Sequence, residues 1–165
     1  MLCHVYSHLH NLDITCLRFF TVYGPRQRPD LAIHKFVRLI DGGKSIPFFG
    51  NGDTSRDYTY IDDIINGISC AFHHLQGYKI YNLGESTVTN LRKLVETIEN
   101  AIGKKAVLKQ LPIQEGDVNT TYADISKAKM ELGYNPKFNF ETGITEFVKW
   151  YNIHKELLYN KESLV

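Results

Sequence analysis

The sequence predicts an α/β fold in which short strands alternate with amphipathic helices along a chain of 165 residues. The stretch ITCLRFFTVYG (14–24) is apolar on both faces, which is typical of a strand in a parallel sheet covered by helices on each side. Apolar residues recur at helical spacing in several other segments, and capping residues, glycine or proline separate these segments. Together these observations indicate one α/β protein without internal repeats.

Helical spacing, capping residues and turns place the helices and strands along the chain. Residues 1–10 show helical spacing but lack a capping residue before them, so this helix has an unusual start or begins upstream. We expect Asp62 and Thr89 to be the N-caps of two later helices. A glycine-rich turn, GNGD, joins two short strands. The expected strands are 14–24, 45–49, 54–61, 79–84 and 106–112, and the expected helices are 1–10, 31–43, 62–75, 89–103, 126–133 and 141–158.

Composition excludes several classes of partner. The formal net charge is +1, which predicts no broad attraction to nucleic acid or to an anionic membrane. The sequence contains no run of about 18 apolar residues, so we predict no transmembrane helix. The three cysteines are widely spaced and odd in number, which favours reduced thiols in a cytoplasmic protein over a disulfide or zinc framework.

Common catalytic and phosphate-binding motifs are absent from the sequence. It has no GxGxxG, GxxxxGK[ST], GxSxG or HExxH, so no glycine-rich dinucleotide fingerprint is visible. His4 and His8 share a helix face and could hold zinc with a third ligand, but a surface role is favoured and we predict no metal site. Asp62 and Asp63 could be a carboxylate pair for acid–base chemistry or metal, although helix capping and the helix dipole explain them better.

Two positions suggest local anion binding. RFFTVYGPRQRPD (18–30) places two arginines in a rigid loop after an apolar strand, where they are either an anion site or ordinary solvated side chains. Arg56 enters an aromatic strand directly after a glycine-rich turn and is well placed for bidentate phosphate contacts. The alternative for Arg56 is a surface ion pair with Asp57 or Asp63.

Four segments in order resemble one family. LRFFTVYGPRQRPD, IPFFGNGDTSRDYTYIDDI, YNLGES and EGDVNTTYADISKAKMELGYNP resemble the C-terminal half of extended short-chain dehydrogenase/reductases that act on nucleotide sugars. Within that family the chain looks most like UDP-glucuronate 4-epimerases, because of Thr21 and of RPD after the turn. The resemblance implies the last strands of a parallel sheet plus a small substrate-binding subdomain. Residues 1–25 would end the catalytic helix and supply a Rossmann-type strand, whereas 26–165 would mainly bind UDP-sugar, with 79–84 returning to the main sheet.

The resemblance also implies a role for individual residues. Thr21 and Arg28 would hold the glucuronate carboxylate, and Lys35 and Arg56 the diphosphate. Uracil would be flanked by Pro47 and Phe49, the ribose contacted by Asp117, and the nicotinamide approached by Phe19 and Phe20. One departure is Gln114, where many relatives carry arginine, which leaves one phosphate contact open.

The family reaction uses tightly bound NAD and a tyrosine–lysine pair to form a 4-keto sugar and reduce it on its other face. By resemblance, that pair lies on the helix whose end resembles Met1–His10, a few residues before Met1, and the NAD fingerprint lies further upstream. The resemblance therefore implies no catalytic residue in this chain and no activity by itself. It also implies a homodimer or other self-association. A UDP-hexose or UDP-N-acetylhexosamine 4-epimerase, a dehydratase or a decarboxylase of the same fold stays open, as does a non-catalytic UDP-sugar-binding module.

Overall fold

A computed structural model describes residues 1–113 and 116–159 and confirms the α/β class. The helices are α1 (Leu2–His10), α2 (Ala32–Asp41), α3 (Ile61–His73), α4 (Leu91–Ile102), α5 (Ser126–Leu132) and α6 (Phe140–Tyr159). The strands are β1 (Ile14–Phe19), β2 (Thr21–Tyr23), β3 (Ser45–Phe49), β4 (Ser55–Tyr60), β5 (Tyr78–Leu83), β6 (Val88–Asn90) and β7 (Val107–Leu111). No described helix has the length and apolar character needed to cross a membrane.

The chain forms two compact units, each assembled from three separate segments. Unit 1 comprises Met1–Val22, Ser55–Thr89 and Thr120–Phe138. Unit 2 comprises Tyr23–Thr54 and the described parts of Asn90–Asn119 and Asn139–Val165.

Unit 1 is built on a parallel pair of strands. β1 and β5 run in register from Ile14 opposite Tyr78 to Phe19 opposite Leu83, and α3 and α5 pack near them. Helices on a parallel pair bury apolar side chains, which explains the alternation read from the sequence. The core of this unit consists of Ile64, Ala71, Tyr81, Leu83, Ala123, Ile125, Ala128, Leu132 and Tyr134.

The predicted continuous strand 14–24 is two strands. β1 ends at Phe19 and pairs with β5, whereas β2 belongs to a different sheet with strand order β2-β4-β6. The chain changes sheets at Phe20, whose backbone N–H still donates to the Leu83 carbonyl at 3.3 Å. An apolar run of eleven residues carries no signal for such a change, because both strands are apolar.

Unit 2 packs helices on a second parallel pair. β3 pairs with β7 from Ser45 opposite Val107 to Phe49 opposite Leu111, and α2 contacts β3 and α4. Asp41, at the end of α2, accepts hydrogen bonds from Lys104, Lys155 and Tyr151. The two ammonium groups hold the pKa of Asp41 below its ordinary value, with the Lys104 hydrogen bond as the largest cause. Asp41 therefore ties the ends of three segments of unit 2 together.

Both predicted N-caps are wrong by one or two residues. α3 has Tyr60 at its N-cap, and Asp62 lies inside the first turn, where its charge favours the helix dipole. α4 is capped by Asn90, whose side chain accepts from the Lys93 N–H at 2.7 Å, while Thr89 lies in β6. Asn90 and Thr89 are both competent caps and the backbone path selects between them, whereas Tyr60 makes no side-chain cap hydrogen bond and only marks where the helical backbone of α3 begins.

Candidate functional site

The arginine loop, Gly24–Asp30, connects β2 to α2 through two turns. The Gln27 N–H donates to the Gly24 carbonyl at 3.1 Å, and the Leu31 N–H donates to the Arg28 carbonyl at 3.2 Å. Arg26 has a φ of 67°, in the left-handed region that side chains rarely adopt. The loop therefore has a defined backbone conformation, as the predicted rigid loop requires.

His34 fastens this loop to the interior of unit 2. Its ring nitrogen Nδ1 lies 2.6 Å from the Gln27 carbonyl, and its backbone N–H donates to Gln27 Oε1 at 3.2 Å. The His34 residue is 1% exposed and its ring meets Phe147 and Trp150 edge-on. Burial lowers the pKa of His34, so the neutral ring donates from Nδ1 to the carbonyl. Sequence analysis missed this residue, although a histidine on the apolar face of α2 was visible.

Arg28 extends from the loop into solvent and binds a carboxylate of the same loop. Its Nε and one terminal nitrogen donate to the two oxygens of Asp30 at 3.2 and 2.7 Å. The side chains are 72% and 65% exposed. Hydrogen bonding to Asp30 raises the pKa of Arg28, and the same contact lowers the pKa of Asp30. Arg28 thus makes the bidentate contact with a carboxylate for which a guanidinium is suited.

A cavity of about 300 Å³ opens beside the end of β3 in unit 2. Phe49 belongs to its wall, and the others are Gly50, Asn51, Asp53, Thr54, Ile113 and Asn119. Gly50 and Gly52 have φ values of 52° and 78°, and a Cβ at Gly52 would collide with the Phe48 ring. The glycine-rich turn predicted from GNGD is therefore required by both backbone conformation and space. An aromatic ring with amide and carboxylate groups suits a flat polar ligand.

Arg56 lies on β4 in unit 1. The two carboxylates considered as its surface partners, Asp57 and Asp63, are buried. One terminal nitrogen of Arg56 donates to the Ser55 carbonyl at 2.9 Å. Asp57 and Asp63, the predicted surface partners, are 0% and 3% exposed. Asp63 accepts from the backbone N–H groups of Lys137 and Phe138, each at 2.9 Å. The carboxylate of Asp63 therefore anchors the segment that follows α5.

Asp57 is the central acceptor of unit 1, and sequence analysis did not identify it. Its oxygens accept from the backbone N–H groups of Glu85, Ser86 and Ala123 at 2.8, 3.0 and 3.1 Å, and from the Thr59 hydroxyl. A Cβ added to Gly84 would collide with Ala123, so the segments approach closely here. Asp57 joins β4 to two loops distant in sequence.

Glu85 lies beside this buried carboxylate and has an unusual environment. Its Oε2 is buried without a hydrogen-bond partner among the described residues. Burial, followed by the charges of Asp63 and Asp57, raises the pKa of Glu85 to about 7, against the opposing effect of Lys129. Glu85 is therefore partly protonated near neutral pH.

The residues implied by the family resemblance are divided between the two units. Unit 1 contains Phe19, Phe20, Thr21 and Arg56, and unit 2 contains Arg28, Lys35, Pro47, Phe49 and Asp117. Phe19 is 48% exposed at the carboxyl end of β1, whereas Phe20 packs against the core of unit 1. Lys35 and Pro47 are half-buried and Asp117 is exposed. Gln114 lies outside the described residues. The arrangement of these residues as one site remains a prediction.

No group of three or more potential metal ligands occurs within residues 1–113 and 116–159. The two histidines predicted to have a surface role, His4 and His8, are both exposed, and His4 contacts the Tyr78 ring edge-on at 5.0 Å.

Known proteins resemble this chain in sequence and in structure. It is 42% identical over 159 residues to a UDP-glucuronate 4-epimerase of Thermodesulfobacterium geofontis. The aligned region covers 96% of this chain and 49% of that protein. The structure matches the UDP-glucuronic acid 4-epimerase of Bacillus cereus, solved in complex with UDP-glucuronic acid and NAD. That match has a TM-score of 0.85 and 35% identity, and covers 92% of this chain and 49% of the other.

A UDP-glucose 4-epimerase of Thermotoga maritima, solved with UDP-glucose, matches with a TM-score of 0.89 and 28% identity, covering 94% of this chain and 51% of that chain. The chain thus spans about half the length of these relatives. The resemblance to nucleotide-sugar epimerases of the extended short-chain dehydrogenase/reductase fold is confirmed. Residues 1–147 match the sequence profile described as GDP-mannose 4,6 dehydratase, and the chain belongs to that family.

Proposed function

We propose that this chain is the UDP-sugar-binding, C-terminal portion of an NAD-dependent 4-epimerase that interconverts UDP-glucuronate and UDP-galacturonate through a 4-keto intermediate. The observation that carries the proposal is the exposed guanidinium of Arg28, which makes a two-pronged contact with a carboxylate. A glucuronate differs from glucose by a carboxylate at C6, so a group of this kind would distinguish the two sugars. The relatives named UDP-glucuronate 4-epimerase support the same substrate.

The other residues implied by the family resemblance each bind a different part of the nucleotide sugar in this proposal. Thr21 donates to the sugar carboxylate together with Arg28, and Lys35 and Arg56 neutralise the diphosphate. Phe49 and Pro47 flank the uracil ring, for which the cavity beside β3 supplies an aromatic wall and polar groups. Asp117 accepts from the ribose hydroxyls. Each assignment uses a group whose charge or shape suits that part of the nucleotide sugar.

The proposed cofactor contact rests on the end of β1. Ligands of open α/β sheets bind beyond the carboxyl ends of the strands, and Phe19 is exposed at that position. NAD, when bound, supplies the acceptor and donor of the sugar hydride. Phe19 would present an apolar ring to it, and Phe20, packed on the core of unit 1, would hold Phe19 in place.

Binding of UDP-glucuronate and of UDP-glucose to the purified chain, measured by titration calorimetry, tests this proposal. We expect the chain to bind UDP-glucuronate more tightly, and Arg28→Gln to remove the difference. Equal affinity for the two sugars in the unsubstituted chain would contradict the carboxylate role. It would favour the UDP-hexose 4-epimerase alternative, which the match to the Thermotoga maritima enzyme supports.

We further propose that the chain alone has no epimerase activity and does not bind NAD tightly, since no dinucleotide fingerprint occurs in its sequence. Incubation with UDP-glucuronate and NAD, followed by sugar analysis, should yield no UDP-galacturonate. Formation of UDP-galacturonate would contradict this view. A chain that binds UDP-sugar and neither reacts nor assembles with further protein would instead be a binding module.

Self-association is also proposed, because unit 1 exposes apolar side chains on two helices. Leu2 and Leu9 of α1 are 72% and 67% exposed, and Phe72 of α3 is 69% exposed. Apolar surface of this kind favours association with another chain. Light scattering at several concentrations should show a mass that rises with concentration, and a constant monomer mass would contradict the proposal.

A further inference from the structure

Asp30 accepts hydrogen bonds from the guanidinium of Arg28, the group that the proposed function assigns to the substrate carboxylate. Both donors that face Asp30, Nε and a terminal nitrogen of Arg28, are used by its two carboxylate oxygens. This is the same fork-to-carboxylate geometry that a uronate sugar would use. A sugar carboxylate cannot take both donors while Asp30 holds them.

The backbone keeps Asp30 within reach of Arg28. The turn closed by the Leu31 N–H and the Arg28 carbonyl places the two side chains on one short segment, and the Gln27–His34 contacts fix the segment before it. Asp30 is therefore at a high effective concentration around Arg28 whatever ligand is present. Asp30 therefore competes with any ligand carboxylate for Arg28, because both residues belong to the same loop.

The pair is nevertheless easy to separate. Both side chains are about two-thirds or more exposed, so water replaces the lost contacts when the pair opens. Exposed ion pairs contribute little to stability, because solvent screens the charges and two long side chains lose freedom when they pair. A ligand whose carboxylate is held by further groups can therefore displace Asp30 at small cost.

We infer that Asp30 is an internal competitor that holds Arg28 until the carboxylate of a uronate sugar displaces it, which rests on the proposed function of Arg28. The exchange replaces one carboxylate by another and leaves the charge at Arg28 balanced. A neutral sugar leaves the pair intact and gains nothing from Arg28. Asp30 thereby lowers the affinity for uronate sugars and for other small carboxylates, without affecting neutral sugars.

The test compares Asp30→Asn with the unsubstituted chain in titrations with UDP-glucuronate and with UDP-glucose. We expect UDP-glucuronate to bind about two- to fivefold more tightly to Asp30→Asn, the range that an exposed ion pair allows. The affinity for UDP-glucose should not change. Glu146→Gln, which removes the carboxylate of the exposed pair with Lys149, is the matched control and should leave both affinities unchanged.

A second measurement follows the Asp30 carboxyl itself by carbon NMR, with its signal assigned from Asp30→Asn. The pKa of Asp30 lies below its ordinary value while Arg28 is bound. Saturation with UDP-glucuronate should return this pKa towards the ordinary value, as should Arg28→Gln, whereas UDP-glucose should not. A residue that only stabilised the loop would show no response specific to the uronate.

The outcomes separate the two proposals. Unchanged or weaker UDP-glucuronate binding by Asp30→Asn would overturn the role of Asp30 as competitor, and weaker binding would show that it positions Arg28. If the unsubstituted chain binds both sugars equally and Arg28→Gln has no effect, the proposed function of Arg28 fails first. Failure to bind either sugar would contradict the proposed function and the inference together.

Discussion

Two carboxylates of this chain accept strong hydrogen bonds in opposite settings. Asp57 is fully buried in unit 1, and three backbone N–H groups from two loops donate to it. Asp30 is exposed in unit 2, and one exposed side chain, that of Arg28, donates to it. Backbone donors cannot leave without unfolding the loops, whereas a guanidinium can exchange partners. A carboxylate buried among backbone donors therefore stabilises the fold, whereas an exposed carboxylate can exchange its partner and take part in binding.

The largest expected effect is that of Asp57→Ala. Its loss leaves the N–H groups of Glu85, Ser86 and Ala123 without their acceptor, at a cost of about 3–5 kcal/mol in the free energy of unfolding. Urea denaturation followed by circular dichroism measures this cost. Asp57→Asn keeps one carbonyl oxygen and should lower the free energy of unfolding less than Asp57→Ala does. Asp30→Asn should leave the free energy of unfolding almost unchanged. Equal free energies of unfolding for the Asp57→Ala and Asp30→Asn variants would contradict the structural role of Asp57.

Arg28→Gln should have the next largest effect, on binding rather than on folding. Loss of a charge-assisted contact should weaken UDP-glucuronate binding about ten- to a hundredfold. UDP-glucose binding should change little, because that sugar has no carboxylate. Isothermal titration with both sugars gives the ratio, and the urea midpoint should stay unchanged because the side chain is 72% exposed. A large loss of stability would show that Arg28 is structural instead.

His34→Phe should have a smaller effect than either of these substitutions, on stability and on the arginine loop. The ring of phenylalanine keeps the contacts with Phe147 and Trp150 but loses the hydrogen bond to Gln27, at a cost of about 1–2 kcal/mol. We also expect faster amide hydrogen exchange at Gln27 and Leu31, because only the hydrogen bond from the backbone N–H of residue 34 to Gln27 Oε1 still holds the arginine loop. His34→Asn, which retains a donor near Nδ1, should restore part of the protection. Unchanged exchange in His34→Phe would show that the turns alone fix the loop.

A smaller effect is expected from the pH dependence of Glu85. Its folded-state pKa of about 7 lies above the ordinary value of 4.5, so the folded protein binds more protons than the unfolded chain between these pH values. Stability should therefore fall as pH rises from about 4.5 to 7, by about 1–2 kcal/mol once solvent screening of this half-buried group is discounted. Glu85→Gln should flatten this dependence, and denaturation curves between pH 5 and 8 measure it. An unchanged slope would assign the titration to another group.

Sequence patterns predicted what short-range chemistry determines. The amphipathic spacing of α2 and α4, the glycine-rich turn before β4 and the rigid arginine loop all follow from neighbouring residues. The change of sheet at Phe20 and the choice of Asn90 as N-cap depend on the path of the backbone. Local sequence patterns do not determine that path, so neither feature could be predicted from them.

The candidate site shows the same division. The pairing of Arg28 with Asp30 was within reach, since RPD places the two charges two residues apart. The role of Asp57 could not be predicted, because its backbone donors lie 28 to 66 residues away in the chain. An acidic residue inside the aromatic strand SRDYTY was the only sequence signal of its burial.

The most direct test of the account is a crystal structure of this chain with UDP-glucuronate. We expect an oxygen of the C6 carboxylate within about 3 Å of a guanidinium nitrogen of Arg28, with the Asp30 carboxylate released into solvent. A sugar carboxylate bound elsewhere, with the 2.7 Å contact between Arg28 and Asp30 intact, would contradict the account.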